Sequence, residues 1–258
     1  MDFVDDLGQS LQVDTAPQRV VSLVPSLTEL LFDLGLEERV VGVTKFCIHP
    51  AGLVKNKQKI GGTKNVNFER LRALNPDFII ANKEENSQAD IEELMLEFKV
   101  YVTDIITLED AYHSIDAFGK ILGCETSATS LIKRIRHEFS QLKVHSTKKV
   151  LYIIWKSPWM TIGEDTFIQH LFSYLGFENV VKDMRYPVLE DHDINALKPE
   201  LVLLSSEPYP FAEKHLSEVQ TLFPQAKILL VDGEMFSWYG SRLALAPAYF
   251  ARLLESIN

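Results

Sequence analysis

The middle of the chain, residues 107–143, carries the apolar spacing of two consecutive helices. In residues 108–122 apolar side chains recur every three or four positions, which predicts one buried face. Thr107 is expected to be the N-cap, and Gly123 interrupts the pattern before it resumes in residues 128–142. At 1.5 Å per residue the second helix would be about 27 Å long. This length suggests a bridge between two halves of the chain.

The sequences before and after this bridge resemble each other. Residues 31–41 (LFDLGLEERVV) and 171–181 (LFSYLGFENVV) both predict a helix end, a glycine C-cap and a strand. Residues 72–80 and 195–203 both predict a short helix that proline stops, followed by a buried strand. Two matches in the same order favour two similar α/β lobes joined by a helical spine. The predicted divisions are 1–106 for the first lobe, 107–147 for the spine and 148–258 for the second lobe.

Short apolar runs alternate with amphipathic segments in both lobes. A hairpin is predicted in residues 3–13, and the segment 247–254 is predicted to be the last helix. Ser26 or Thr28 is expected to cap the first helix, and Asp165 or Thr166 the first helix of the second lobe. The predicted strands are 20–24, 40–43, 78–81, 100–102, 150–155, 201–204 and 228–231. Alternation of this kind is typical of a mainly parallel, Rossmann-like sheet with helices on its faces.

Composition narrows the possible functions. The 258 residues carry a formal net charge of −10, which argues against nucleic acid as a partner. No apolar run is long enough to span a bilayer, so a membrane-spanning protein is not expected. The N-terminus lacks the basic region and apolar core of a signal peptide, so either a leader has been removed or the protein stays inside the cell. A disulfide between Cys47 and Cys124 is possible but nothing supports it.

Candidate binding residues cluster where the predicted strands end. Ligands of open α/β sheets bind at the carboxyl ends of the strands, and all three tryptophans fall at such positions. Aromatic side chains there are common in ligand pockets, although some of them could simply pad the seam between lobes. The candidates are Phe46, Cys47, His49, Thr63, Lys64, Lys83, Glu84, Asn86, Trp155, Trp159, Tyr186, Phe236, Trp238, Tyr239 and Arg242.

Signals for catalysis or a resident metal are weak. Cys47 and His49 could face one space and bind a metal, but no third ligand at recognisable spacing accompanies them, so a packed cysteine beside a hydrogen-bonded histidine is favoured. Glu84 and Glu85 could act as an acid/base pair, although adjacent glutamates usually form a solvated loop. Residues 61–64 (GGTK) do not match a phosphate-binding loop. No catalytic residue, metal site or covalent cofactor is predicted.

Several motifs in order resemble one family. These are Pro17-x-Arg19-Val20-Val21-Ser22-Leu23-x-Pro25-Ser26-x-Thr28-Glu29, Val41-Gly42-Val43, Asn67-Phe68-Glu69-Arg70-Leu71 and Leu74-x-Pro76-Asp77. With the spine between the lobes, they make the whole chain similar to the helical-backbone periplasmic binding proteins, the substrate-binding components of ABC importers for cobalamin, ferric siderophores and haem. The loops that carry Trp159 and Phe236 are similar in position to aromatic loops of the cobalamin-binding branch.

This resemblance implies the class III architecture, with two α/β lobes joined by a rigid helix and a metal chelate in the cleft between them. It implies a periplasmic location, a permease partner and no enzymatic activity, and we expect a monomer. The family's docking glutamate matches Glu69. In the second lobe the internal repeat carries that position onto His192, so Asp193 beside it is assigned to docking, with Glu190 and Asp191 as further candidates.

Two alternatives remain open at this stage. One is an intracellular two-lobed enzyme of chelatase type that uses His49 with Glu84 or Glu85. The other is a cytoplasmic chelate carrier without a permease. Binding without turnover would favour the solute-binding protein over the enzyme.

Overall fold

The computed structural model describes residues 1–144 and 147–257, except for the side chain at position 195. The chain divides into two compact units. The first unit comprises Met1–Ile135 with Tyr239–Arg242, and the second comprises Arg136–Trp238 with the residues from Leu243 onward. Along the chain the first division falls inside a helix, Glu125–Ser140. The three-part division drawn from the internal repeat stays a prediction.

The first unit alternates strands and helices. Its strands are β1 (Asp2–Val4), β2 (Ser10–Gln12), β3 (Val20–Ser22), β4 (Val40–Val43), β5 (Gln58–Lys59), β6 (Gly61–Gly62), β7 (Asn65–Val66), β8 (Phe78–Asn82) and β9 (Val100–Thr103). Its helices are α1 (Pro25–Asp33), α2 (Phe68–Ala73), α3 (Gln88–Met95), α4 (Leu108–Leu122) and the first part of α5 (Glu125–Ser140). Short 3-10 turns occupy Glu37–Arg39 and Val54–Asn56, and a third, Ser241–Ala244, begins in this unit and ends in the second.

A parallel sheet in the order β5-β4-β3-β8-β9 forms the centre of the first unit. Its central strands are fully buried because both faces are covered, which explains their nearly unbroken apolar sequence. One face packs Val21, Ile79 and Val102 against Leu71 of α2 and Leu94 of α3. The strand order places the carboxyl ends of β3, β4 and β8 side by side, where the first candidate residues lie.

The second unit repeats this plan. Its strands are β10 (Lys148–Trp155), β11 (Met160–Thr161), β12 (Phe177–Asn179), β13 (Leu201–Ser205) and β14 (Lys227–Val231). Its helices are the end of α5, α6 (Phe167–Leu175), α7 (Asp191–Ala196), α8 (Leu216–Leu222), α9 (Gly233–Ser237) and α10 (Ala246–Ile257), with a 3-10 turn at Glu213–His215.

Strand β10 is the centre of the second sheet. Its first residues pair in parallel with β12, its last residues pair antiparallel with β11, and its other edge pairs in parallel with β13, which pairs with β14. Leu151 and Leu204 pack in the core of this sheet with Phe211 and Val219. As in the first unit, parallel neighbours bring the residues that follow β10 and β13 to one edge.

The helix signals in the sequence are confirmed. Thr107 caps α4 in a capping box with Asp110, and Gly123 ends this helix in the left-handed conformation, with φ +67°. Gly176 ends α6 in the same way, also with φ +67°. Glycine suits such positions because it has no Cβ to oppose a positive φ. The hairpin in residues 3–13 is also confirmed, as β1 pairs with β2.

The predicted cap of α1 is wrong. The helix begins at Pro25, and its N-cap is Val24, which makes no side-chain capping bond. Proline is favoured at the first helical position because its fixed φ suits the helix and its missing N–H would have no partner there. Thr28 lies inside the helix, where its hydroxyl donates to the carbonyl of Val24 at 2.9 Å. Of the two residues proposed for α6, Thr166 is the cap.

Among the helices of the described residues, none has both the length and the apolar content that a membrane span requires.

Candidate functional site

The loop after β4 separates the first three candidate residues. Phe46 is 51% exposed, whereas Cys47 is only 2% exposed. The Cys47 thiol contacts the hydroxyls of Thr28 and Thr44 at 3.1 and 3.2 Å, and burial raises its pKa. His49 is half-buried and interacts electrostatically with Glu29. The loop therefore presents the Phe46 ring outward and holds the cysteine inside.

A metal site at Cys47 and His49 finds no support. Within residues 1–144 and 147–257, no group of three or more histidine, cysteine, aspartate or glutamate side chains is arranged to hold a metal ion. A thiolate is the form of cysteine that binds metals, and burial of Cys47 opposes its formation. The interpretation as a packed cysteine is the one that the structure favours.

Asn86 is a structural centre of the loop after β8. Its side-chain amide donates to the carbonyls of Leu23 at 3.2 Å and Thr63 at 3.0 Å. Its side-chain oxygen accepts from the backbone N–H of Asn82 at 2.8 Å. The residue is only 4% exposed, so it joins the end of β3, the β6–β7 hairpin and the end of β8. These bonds give Asn86 a structural role, and its contact with a ligand stays a prediction.

The charged candidates of the first unit lie around this junction. Lys64, at the tip of the β6–β7 hairpin, donates to the backbone carbonyls of Glu84 and Asn86. Lys83 forms an ion pair with Asp104. Glu84 is half-buried, and so is Glu85, whose pKa is raised by burial and by the Glu84 charge although the Lys64 charge opposes the shift. These polar groups meet at the carboxyl end of β8, and the structure shows which of them bind each other.

Arg242 lies inside the first unit. Its guanidinium donates two hydrogen bonds to the carboxylate of Glu29 in α1, at 2.8 Å from Nε and 2.6 Å from Nη2. The two side chains are 8% and 12% exposed. Tyr239, in the same segment, is 7% exposed. Arg242 thus binds a carboxylate of the protein, and its contact with a ligand stays a prediction.

Four aromatic side chains form a continuous row at the edge of the second sheet. Trp155 ends β10 and meets Tyr209 edge-on, with centroids 5.6 Å apart. Tyr209 packs on Phe211 at 4.6 Å, and Phe211 stacks on Trp159 at 6.3 Å with an interplanar angle of 4°. We call Trp155, Tyr209, Phe211 and Trp159 the aromatic row. Two of its members were candidates from the sequence; Tyr209 and Phe211 were missed.

Polar groups hold the aromatic row in place. The Lys156 ammonium lies 5.7 Å from the centroid of the Trp159 ring and also pairs with Glu218. The buried His215 ring packs against Tyr209 and Phe211, with centroids 5.5 and 5.4 Å away. Nδ1 of His215 accepts the backbone N–H of Ala212 at 2.9 Å. The row is therefore fixed before any ligand arrives, while the Trp155 ring remains 38% exposed.

The other aromatic candidates of the second unit differ in exposure. Tyr186 is 37% exposed in the loop before α7. Phe236 is fully buried against Tyr152 and Phe250, so a ligand could reach it only if the covering side chains moved. Trp238 is 7% exposed, and its indole N–H donates to the Glu207 carboxylate at 2.9 Å. The burial of Phe236 and Trp238 indicates packing roles, and their contacts with a ligand stay predictions.

The two docking candidates have different surroundings. Glu69 is exposed in the first turn of α2, whose N-cap Asn67 accepts the N–H of Arg70 at 2.9 Å. Asp193 is half-buried in the first turn of α7 and accepts the backbone N–H of Glu190 at 2.9 Å. Glu69 is thus presented to solvent, whereas Asp193 is partly occupied as a helix cap.

Comparison with known proteins identifies the family. The family described as periplasmic binding protein matches residues 20–226, most of the chain. The chain belongs to this family. The class III architecture predicted for it, with two α/β units built on mainly parallel sheets, is confirmed.

Individual relatives agree with this assignment. The chain is 28% identical over 216 residues to an uncharacterized ABC transporter substrate-binding lipoprotein, YvrC of Bacillus subtilis, covering 78% of this chain and 68% of the relative. It is 26% identical over 255 residues to the vitamin B12-binding protein of Pectobacterium carotovorum, covering 94% and 90%. The periplasmic haem-binding protein RhuT from Roseiflexus shares the fold, with a TM-score of 0.81 at 18% identity over 93% of this chain and 97% of that one.

Proposed function

We propose that this chain is the substrate-binding component of an ABC importer and that it captures a metal chelate, a corrinoid, a ferric siderophore or haem. It binds and releases the chelate without making or breaking a bond. Family membership supports the binding role, and the names of the relatives support the transporter and the class of ligand. No comparison favours the chelatase-type enzyme.

The aromatic row is the observation that carries this proposal. The corrin and porphyrin rings of corrinoids and haem present broad, largely apolar faces, and aromatic rings contact such faces with little loss of conformational entropy. In this chain the row lies at the carboxyl ends of two parallel strands, the usual ligand edge of an open sheet. Because packing, Lys156 and His215 fix the rings in advance, binding does not have to order them first.

Direct titration tests the proposal. The purified chain is titrated with cyanocobalamin, haemin and a ferric hydroxamate, and binding is followed by tryptophan fluorescence and by the rise in Tm. A ligand at about 100 times its Kd stabilises the folded state by about 2.7 kcal/mol. We expect at least one probe to bind, and to be recovered chemically unchanged. If none of the three binds, the proposal is refuted.

The variant Trp155→Ala tests where the chelate binds. It removes the most exposed ring of the row, and we expect the affinity to fall about tenfold, which corresponds to about 1.4 kcal/mol. The matched control is Tyr174→Ala on α6, because Tyr174 belongs to the same unit and has almost the same exposure, 37% against 38%. Equal losses in both variants, or none in Trp155→Ala, would remove the row from the binding surface.

We also propose that Glu69 and Asp193 contact the permease. Charge pairs at such an interface mainly set orientation and encounter rate. The variant Glu69→Arg is expected to abolish uptake in a complemented strain while the affinity for the chelate stays unchanged. Glu38→Arg, a reversal at another exposed glutamate of the first unit, is the control. Uptake that survives Glu69→Arg would contradict docking and leave Glu69 as a residue that stabilises its helix N-terminus.

A further inference from the structure

The aromatic row continues sideways from Trp155 across two further strands. In the pairing of β10 with β11, Trp155 lies opposite Met160. Met160 in turn lies opposite Val188, in the segment before α7. Both pairings are antiparallel, and residues directly opposite each other in such a pair place their side chains on the same face of the sheet. Trp155, Met160 and Val188 are therefore neighbours on one face, and we call them the apolar strip.

A β-bulge brings Trp155 into the apolar strip. Ile153 lies opposite Thr161 in β11. One step along β11, Trp155 and not Ile154 lies opposite Met160, so β10 contains one extra residue at this point. Bulges often lie next to functional sites, where they re-aim a side chain. Here the bulge places an indole ring where a regular pairing would place an isoleucine.

Backbone hydrogen bonds fix the outer strand of the apolar strip. The N–H of Leu189 donates to the carbonyl of Trp159 at 2.8 Å. On the other side of Val188, the carbonyl of Pro187 accepts the N–H of Thr161 at 3.1 Å. Leu189 is only 7% exposed and packs in the core of the second sheet. Val188 is therefore held between two fixed residues, so binding does not have to order its backbone first.

The apolar strip is open to solvent. Trp155 is 38% exposed and Val188 is 43% exposed, with the half-buried Met160 between them. Single exposed apolar side chains are common on protein surfaces, but a contiguous apolar surface marks an interaction or ligand-binding site. Two strand spacings separate the outer members, so the strip is about 10 Å broad.

A strip of this breadth suits a flat and largely apolar ligand face. Corrin and porphyrin rings are both tetrapyrroles, and each presents such a face. A ferric hydroxamate is instead a compact complex whose iron is surrounded by oxygen atoms. Covering the strip with such a complex would bury polar groups against apolar side chains, which is unfavourable. Burial of apolar area therefore favours the tetrapyrroles.

We propose that Met160 and Val188 extend the aromatic row into the surface that binds the chelate, and that this surface selects a tetrapyrrole chelate over a ferric hydroxamate. This inference rests on the proposed function, because it names the class of chelate that the same site captures. It makes Met160 and Val188 specificity-determining residues of the second unit.

Three probes and two substitutions test this inference. Cyanocobalamin and haemin contain tetrapyrrole rings, whereas ferrichrome is a ferric hydroxamate. Each probe is titrated into the wild type, Val188→Thr and Met160→Gln, and binding is measured by tryptophan fluorescence and by equilibrium dialysis. Both substitutions nearly keep the size of the side chain and make it polar. Val144→Thr is the matched control, because Val144 belongs to the same unit and is also 43% exposed.

The expected result is a loss of affinity for tetrapyrroles. The wild type binds at least one of the two tetrapyrroles more tightly than ferrichrome. Val188→Thr and Met160→Gln each weaken that binding about threefold to tenfold, because a hydroxyl or amide group is then buried against an apolar ring. Val144→Thr binds as the wild type does. Since Val188 lies at the surface, the Tm of Val188→Thr without ligand stays within about 2 °C of the wild type.

Three outcomes would overturn the inference while the proposed function stands. Tighter binding of ferrichrome than of both tetrapyrroles would contradict the selection. Unchanged tetrapyrrole affinity in Val188→Thr and Met160→Gln, or an equal loss in Val144→Thr, would remove the apolar strip from the binding surface. A loss of affinity that comes with a clearly lower Tm in both variants would make the two residues structural. If the wild type binds none of the three probes, the proposed function itself has failed.

Discussion

The buried ion pair of Glu29 and Arg242 allows a direct test of how burial and charge contribute to the stability of the fold. Two hydrogen bonds of 2.6 and 2.8 Å join them, and both side chains are almost completely buried. Even so, the pKa of Glu29 is raised, because the cost of burial exceeds the stabilisation by Arg242. The pair therefore balances a large desolvation penalty against a comparable attraction.

Removing one partner should upset this balance. Arg242→Met leaves a buried carboxyl without its cation, which typically costs about 3–5 kcal/mol. For a chain of this size the Tm moves by about 2–4 °C per kcal/mol, so a fall of about 6–20 °C is expected. The double variant Glu29→Met/Arg242→Met should recover to within about 1 kcal/mol of the wild type or exceed it, since apolar side chains of similar volume carry no desolvation penalty.

The stability of Arg242→Met should change with pH in one direction. In Arg242→Met the folded-state pKa of Glu29 should lie even further above its ordinary value of 4.5. The stability contribution of a group with a raised folded pKa is present below the unfolded pKa and is lost as pH rises through the folded pKa. The single variant should therefore be less impaired near about pH 5 than near about pH 8.

Thermal unfolding followed by circular dichroism measures these effects. If the Tm of Arg242→Met falls by less than about 3 °C, the loss in free energy of unfolding is less than about 1.5 kcal/mol. Such a result would refute the description of the two side chains as buried and mutually dependent. A Tm for Glu29→Met/Arg242→Met as low as that of Arg242→Met would refute it as well. Chelate titration of the double variant adds a separate result: retained affinity makes Arg242 a structural partner of Glu29, whereas lost affinity in a stable double variant supports the ligand role predicted from the sequence.

Three further substitutions have defined outcomes in the same unfolding assay. Gly163→Ala would place a Cβ 2.2 Å from the carbonyl oxygen of Asp183 and should lower the free energy of unfolding by about 1–3 kcal/mol. The control Gly52→Ala, whose Cβ would meet nothing within 4 Å, should change it by no more than about 0.5 kcal/mol. Equal stability of the two variants would contradict the close contact at Gly163. Asn86→Ala removes the hydrogen-bond partner of two backbone carbonyls and one backbone N–H. Each of these groups costs about 1–3 kcal/mol if it stays buried without a partner. An unchanged Tm would therefore exclude the role of Asn86 in joining the three segments. Thr107→Ala should cost about 1 kcal/mol by loss of the capping box, and a neutral result would mean that water replaces the cap.

Local signals in the sequence predicted the fold well. Helix periodicity, the glycines at 123 and 176, and the repeated proline-stopped helices are each encoded by neighbouring residues, and the structure confirms the elements they predict. The failure at α1 is also local: Ser26 or Thr28 was expected to cap the helix, although Pro25 before them suits the first helical position.

The contacts of the site were harder to predict because they join distant residues. Arg242 and Glu29 are 213 positions apart, and no spacing in the sequence pairs them. Tyr209 and Phe211 enter the aromatic row only because β10 and β13 are parallel neighbours. Gly61 shows the reverse case: residues 61–64 did not match a phosphate-binding loop, and the φ of +109° at Gly61 and its close approach to the backbone of Asn65 serve the tight β6–β7 hairpin.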